Sequence, residues 1–126
     1  LVLATLHTPD APQTIERIID VFPSHQQTQV KLQLSDCFQG VISQLLLPHA
    51  SGQGRALATE VMIATPGIRN LIREQEIEQI PTAIQTGSAY GMKTMDKSLK
   101  DLFHAGVISY EVALSKAKHP EEFKQL

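Results

Sequence analysis

Polar side chains that could take part in phosphate or proton chemistry follow the apolar start of the chain. His7 comes directly after the run of residues 1–6, and Thr5 lies two positions before it. Residues two apart share a face of a strand, and open α/β sheets bind ligands where their strands end. An imidazole there could contact a phosphate or orient a water molecule. The alternative is a polar residue with a structural role at the end of a strand.

A pair of arginines four residues apart, Arg69 and Arg73, is the second chemically notable feature. Residues at this spacing lie on one face of a helix, where like charges repel by about 0.2–0.5 kcal/mol. An acidic or phosphorylated group opposite the pair would relieve the repulsion. A solvated basic edge is the alternative, because exposed charge pairs on helices are common.

Other reactive residue types lack the spacing that their chemistry requires. Cys37 lies on an apolar helical stripe without a lysine or histidine partner, so we interpret it as a core residue. The loop Gly52-Gln53-Gly54 lacks the Gly-Lys-Ser/Thr ending of a phosphate-binding loop. The remaining histidines are scattered over loops and helix ends: His25, His49, His104 and His119. None has a partner four residues away, so we expect no metal site.

Composition limits the class of protein. The chain has 126 residues, of which 42% are hydrophobic and 19% charged, which predicts one globular unit. A net charge of -2 argues against nucleic acid as a partner. No apolar stretch is long enough for a membrane span or arranged as a signal peptide, and a single cysteine fits a reducing compartment. We therefore expect a soluble, cytoplasmic protein.

The elements that must position these residues alternate between strands and helices in the first half. Residues 1–6 form a continuous apolar run that predicts a strand covered on both faces. A helix begins after Asp10, and a second helix runs from Ser24 to about Gly40 with Cys37 on its apolar face. Residues 41–48 and 55–64 are apolar and separated by two glycines, which predicts an antiparallel hairpin.

The second half reads as nearly all helix. Thr65 and Pro66 are typical of the start of a helix whose apolar residues are spaced by three and four. Residues 76–86 form the next helix if Pro81 lies in its first turn. Another helical stripe ends at Gly106, and Ser109 caps the last predicted helix.

The chain begins with Leu1-Val2-Leu3-Ala4, without methionine and already inside the predicted strand. Because a buried strand needs partners, we interpret the chain as a fragment whose preceding residues would supply them.

Two segments together resemble the PilT-type twitching-motility ATPases. Residues 3–23 are similar to the His box of that family, and Gly67-Ile68-Arg69-Asn70-Leu71-Ile72-Arg73-Glu74 is similar to its retraction signature. Shorter similarities occur at residues 39–44, 83–87, 91–92 and 108–111. The chain departs from the family at two positions, since Gly67 replaces alanine and Glu16 replaces the second histidine of the His box.

The resemblance implies an α/β fold in which residues 1–64 are the C-terminal part of a RecA-like P-loop ATPase domain, with strands, helices and a hairpin. Residues 65–126 would be a helical C-terminal region with the retraction signature. Proteins of this family are hexameric cytoplasmic motors, peripherally associated with the inner membrane at the pilus base, that hydrolyse ATP to retract type IV pili. ATP and Mg²⁺ would be bound mainly by residues upstream of Leu1, so the fragment alone is expected to be inactive.

The resemblance also assigns roles to residues. His7 would contact the γ-phosphate in a supporting catalytic role. The His box residues are Thr5, His7, Thr8, Asp10 and Glu16, and the coupling motif comprises Ile68, Arg69, Asn70, Leu71, Ile72, Arg73 and Glu74. Expected partners are identical subunits and the pilus machinery. Two alternatives stay open: a pilus-assembly or type II secretion ATPase, and a helical interaction module without nucleotide chemistry.

Overall fold

The computed structural model describes residues 1–124 and is built of seven α-helices and two strands within that range. The α/β class predicted from the sequence is confirmed. In chain order the elements are α1 (Ala11–Asp20), α2 (Gln27–Cys37), β1 (Gly40–Pro48), β2 (Arg55–Ile63), α3 (Pro66–Arg73), α4 (Ile80–Gln85), α5 (Met95–His104), α6 (Tyr110–Lys116) and α7 (Pro120–Phe123). Within the described range, every helix is too short or too polar to cross a bilayer.

The predicted hairpin is confirmed. β1 and β2 pair antiparallel from Gly40 opposite Ile63 to Pro48 opposite Arg55. Gly52 and Gly54 in the connecting loop adopt φ angles of 79° and 74°, a region that glycine enters without the cost a side chain imposes. Alternate residues of β2 are buried, so one face of the strand packs against the helices.

Three helix starts follow the capping chemistry read from the sequence, whereas α2 begins at Gln27 rather than at the predicted Ser24. The side chains of Asp10, Thr65 and Ser109 each accept a hydrogen bond from the backbone N–H three residues on, which fixes the first turns of α1, α3 and α6. Pro81 lies in the first turn of α4 because this helix begins at Ile80 rather than at the predicted residue 76. Thr94 caps α5 in the same way, which the sequence analysis did not predict.

Apolar side chains gather in two clusters on the inner side of the hairpin. The first joins α1, α3 and α4 to Met62 and Met92, and the second joins the far end of the hairpin to α5, α6 and Phe123. Each cluster draws on residues before and after position 64. The predicted division into residues 1–64 and 65–126 stays a prediction.

The predicted strand at residues 1–6 is wrong. Residues 1–8 have no regular secondary structure, and Leu1, Val2 and Leu3 are exposed. A strand is held by hydrogen bonds to a neighbouring strand. The sheet described in residues 1–124 contains only β1 and β2, so the apolar run has no ladder to join.

The interpretation of Cys37 as a core residue is also wrong. Cys37 is exposed, and α2 ends there rather than at Gly40, because Phe38 is extended and Gly40 already pairs with Ile63. The helix buries Lys31 and Ser35, with Val30 and Leu34 half-buried beside them. The contact face is therefore rotated away from Cys37.

Candidate functional site

His7 lies above the outer face of α1. His7, Thr8 and Glu16 line one surface hollow of about 210 Å³. The helix contributes Gln13, Glu16, Arg17 and Asp20 to the same hollow, at the spacing of one helical face. The hollow therefore combines two groups that can bind an anion, His7 and Arg17, with two carboxylates.

Thr5 is separated from His7. It lines a different hollow of about 280 Å³, against Val41 and Gln44 of β1. The expectation that Thr5 and His7 share a face fails because the segment is not a strand. Thr8 Oγ1 lies 2.6 Å from Thr14 Oγ1, which ties the segment to α1.

Asp10 is a structural residue. Its Oδ1 accepts the Gln13 N–H at 2.8 Å, and its Oδ2 lies 2.6 Å from Lys118 Nζ. Burial opposes ionisation of the carboxyl, but the Lys118 ammonium and the Gln13 N–H outweigh it and lower the pKa of Asp10. Asp10 thus joins α1 to the segment between α6 and α7.

The apolar residues of the retraction signature form the buried side of α3. Ile68 and Ile72 are completely buried, and Leu71 packs against the same cluster. Asn70 and Glu74 are exposed, and their side chains form no hydrogen bond or ion pair within residues 1–124. The apolar residues of the signature therefore belong to the core, whereas Asn70 and Glu74 lie at the surface.

Both arginines of the signature contact the C-terminal end of α2. Arg69 Nη1 donates a hydrogen bond to the Ser35 carbonyl oxygen at 2.6 Å, and its guanidinium lies 5.5 Å from the centre of the Phe38 ring. Arg73 Nη1 lies 3.5 Å from Asp36 Oδ1. The sequence left two alternatives for the arginine pair: a solvated basic edge, or a group opposite it that relieves the repulsion. The structure shows acceptors opposite both arginines, and these acceptors belong to the same chain.

Two buried carboxylates were missed by the sequence analysis. Glu60 of β2 accepts the N–H of Ala11 at 2.9 Å and that of Met95 at 3.2 Å, so it joins the first turns of α1 and α5. Asp96 accepts the N–H groups of Lys118 and His119 at 2.9 and 3.0 Å. Side chains along a strand point alternately to its two faces, and Glu60 shares the inward face of β2 with buried Ala58 and Met62. This alternation would have predicted that Glu60 is buried.

The fold defines a class of protein. It is similar to the crystal structure of the pilus retraction motor PilT with bound ADP, with a TM-score of 0.82 and 42% sequence identity. That similarity covers 96% of this chain and 33% of the other. The chain therefore shares its fold with about a third of a pilus retraction motor. No protein-family model matches the chain.

Sequence relatives specify the class further. The chain is 51% identical over 123 residues to the type IV pilus retraction ATPase PilT of Pseudomonas aeruginosa, covering 98% of this chain and 36% of the relative. It is 47% identical over 121 residues to the twitching motility protein of Neisseria gonorrhoeae, covering 96% and 32%. The chain spans about a third of the length of these curated relatives. It is homologous to a C-terminal part of the PilT-type twitching-motility ATPases, and the resemblance seen in its motifs is confirmed.

Proposed function

We propose that this chain works, as part of a longer protein, in a motor that hydrolyses ATP to retract type IV pili. The observation that carries this proposal is 51% identity, over nearly the whole chain, to a protein named as a pilus retraction ATPase. Bound ADP in the structural neighbour supports nucleotide chemistry for the motor.

Within such a motor, His7 contacts the γ-phosphate. Its exposure on a polar hollow leaves the imidazole accessible to a ligand, and Arg17 on the same hollow adds a positive charge. Phosphoryl transfer depends mainly on positioning and electrostatic stabilisation, so a cationic or hydrogen-bonding side chain at the phosphate lowers the barrier.

The rest of the nucleotide site lies outside this chain in our proposal. Within residues 1–124, no three histidine, cysteine, aspartate or glutamate side chains converge to hold a metal ion. On the basis of the similarity to PilT-type ATPases, we assign Mg²⁺ and most ATP contacts to a P-loop and acidic residues of the longer protein. In this proposal the chain alone is inactive. The nucleotide site is completed by residues of a hexameric ring of RecA-like domains, which lies at the cytoplasmic side of the inner membrane.

Mutation of His7 tests the nucleotide assignment. In the full-length protein, His7→Ala should reduce the rate of ATP hydrolysis by about tenfold to a hundredfold, because one contact to the charge of the transition state is lost. His25→Ala is the matched control, since His25 is exposed but lies in the turn before α2, away from the hollow. Hydrolysis at the wild-type rate by His7→Ala would contradict the assignment.

A further inference from the structure

The C-terminal end of α2 and the start of α3 meet where both connect to the hairpin. The Ala64 N–H, between β2 and α3, donates to the Gln39 carbonyl oxygen, between α2 and β1, at 3.1 Å. Gly40 allows this close approach, because a Cβ there would lie 3.0 Å from the Met62 carbonyl oxygen. We call residues 35–40 together with residues 63–73 the joint.

Arg69 provides a hydrogen-bond donor to a carbonyl group at the C-terminal end of α2. The last carbonyl groups of a helix lack partners within the helix and form its negative pole. The guanidinium of Arg69 binds one of them, that of Ser35, and lies near the ring of Phe38, one residue beyond the helix. A planar cation suits both contacts at once, which a lysine ammonium does less well.

Arg73 offsets the unfavourable interaction between the Asp36 carboxylate and the dipole of α2. Asp36 lies in the last turn of α2, where the helix dipole disfavours an acidic side chain. Arg73 supplies the opposite charge at 3.5 Å, on a pair that stays partly exposed. The two arginines therefore bind successive residues of α2, Ser35 and Asp36, from successive turns of α3.

We propose that Arg69 and Arg73 are positioning residues that act inside the chain, fixing the α2–β1 connection to α3. Their part in retraction, which rests on the proposed function, passes through α2 and the hairpin rather than through a partner bound to the arginines. The side chains of the signature that remain unengaged within residues 1–124 are those of Asn70 and Glu74.

The single cysteine provides a direct probe of the joint. Cys37 is exposed at the end of α2 and is the only thiol in these 126 residues, so it can carry a nitroxide label. In the full-length protein, any cysteine outside this chain is first replaced by serine. Arg69→Gln should increase the mobility of this label, and Arg69→Lys should restore part of the wild-type spectrum. Asn70→Ala is the matched control and should leave the spectrum unchanged. An unchanged spectrum in Arg69→Gln would overturn the proposal.

An exchange of charges separates the joint from a partner contact. Arg73→Asp in the full-length protein should impair retraction, and the double variant Asp36→Arg with Arg73→Asp should restore it, because the ion pair is re-formed in reverse. The unfolding equilibrium constant should show a coupling of about two- to fivefold between the two positions.

The outcomes distinguish this proposal from the proposed function. Retraction restored by the double variant supports the joint. If the double variant restores the energetic coupling but not retraction, the proposal is overturned, because Arg73 would then be needed for a contact outside the chain. A role of Arg73 in retraction would still stand. If the wild-type protein neither hydrolyses ATP nor supports retraction, the proposed function fails. The label at Cys37 still decides whether the arginines fix the end of α2.

Discussion

At the scale of single residues, the acidic side chains of Asp10 and Glu60 link elements that are distant in sequence. Asp10 caps α1 and pairs with Lys118, 108 positions later in the chain. Glu60 joins two helix starts and has 4% of its surface exposed. A buried carboxylate is stable only when its oxygens are hydrogen-bonded, and here backbone N–H groups and one ammonium fulfil that condition.

The lowered pKa of Asp10 predicts a dependence of stability on pH. A carboxyl whose pKa is lower in the folded state stabilises the fold above its ordinary pKa, and this contribution is lost as pH falls through the folded value. Wild-type protein should therefore lose more unfolding free energy than Asp10→Asn between about pH 5 and about pH 2. Urea unfolding at several pH values measures the difference.

Asp20→Asn is the matched control for this experiment. Asp20 lies on the same helix but is exposed, and its side chain has no hydrogen bond within residues 1–124. Near neutral pH, Asp10→Asn should cost about 1–2 kcal/mol, because Asn still caps the helix but leaves Lys118 without its carboxylate. Equal loss of stability on acidification in wild type and Asp10→Asn would contradict the assignment.

At the scale of elements, local chemistry predicted most helix starts and the hairpin. Thr65 with Pro66, Ser109 and the two loop glycines act through neighbours a few residues away, so their effects are readable from sequence. The strand predicted at residues 1–6 and the burial of Cys37 failed because both depend on partners distant in sequence. An apolar run needs a second strand, and the face that a helix buries is chosen by what packs against it.

The first turn of α3 predicts a stabilising substitution. A Cβ at Gly67 would meet nothing closer than Thr65 Oγ1 at 4.0 Å, and its φ is not in the left-handed region. Gly67→Ala, which restores the alanine of the retraction signature, should raise the unfolding free energy by about 0.5–1 kcal/mol, because the unfolded chain loses freedom. Chemical denaturation measures this change.

Gly87→Ala is the contrasting variant. A Cβ there would overlap Met92 Cε and lie 3.0 Å from the Ala83 carbonyl oxygen. The buried Met92 side chain must move and the backbone must adjust slightly, so the protein should be destabilised. A loss of stability in Gly67→Ala would show that the start of α3 is constrained by more than its helical conformation.

At the scale of the whole molecule, the similarity to PilT-type ATPases was readable from the motifs, whereas the spatial arrangement of the motifs was not. The hollow that contains His7 and Glu16 lies on α1, and the retraction signature forms part of a buried core on α3. Sequence spacing could not show that Arg69 and Arg73 face α2, because Ser35 and Asp36 are more than thirty positions away. In the structure both arginines of the signature contact the C-terminal end of α2, within the joint formed by residues 35–40 and 63–73.

The most direct measurement is the twitching of cells that carry a chimeric motor protein. The matching 123 residues of Pseudomonas aeruginosa PilT, which are 51% identical, would be replaced by this chain in cells that lack their own PilT. If the chain serves a pilus retraction motor, the chimera should restore twitching, and the same chimera with His7→Ala should fail. A chimera that accumulates normally and hydrolyses ATP but does not retract pili would contradict the account.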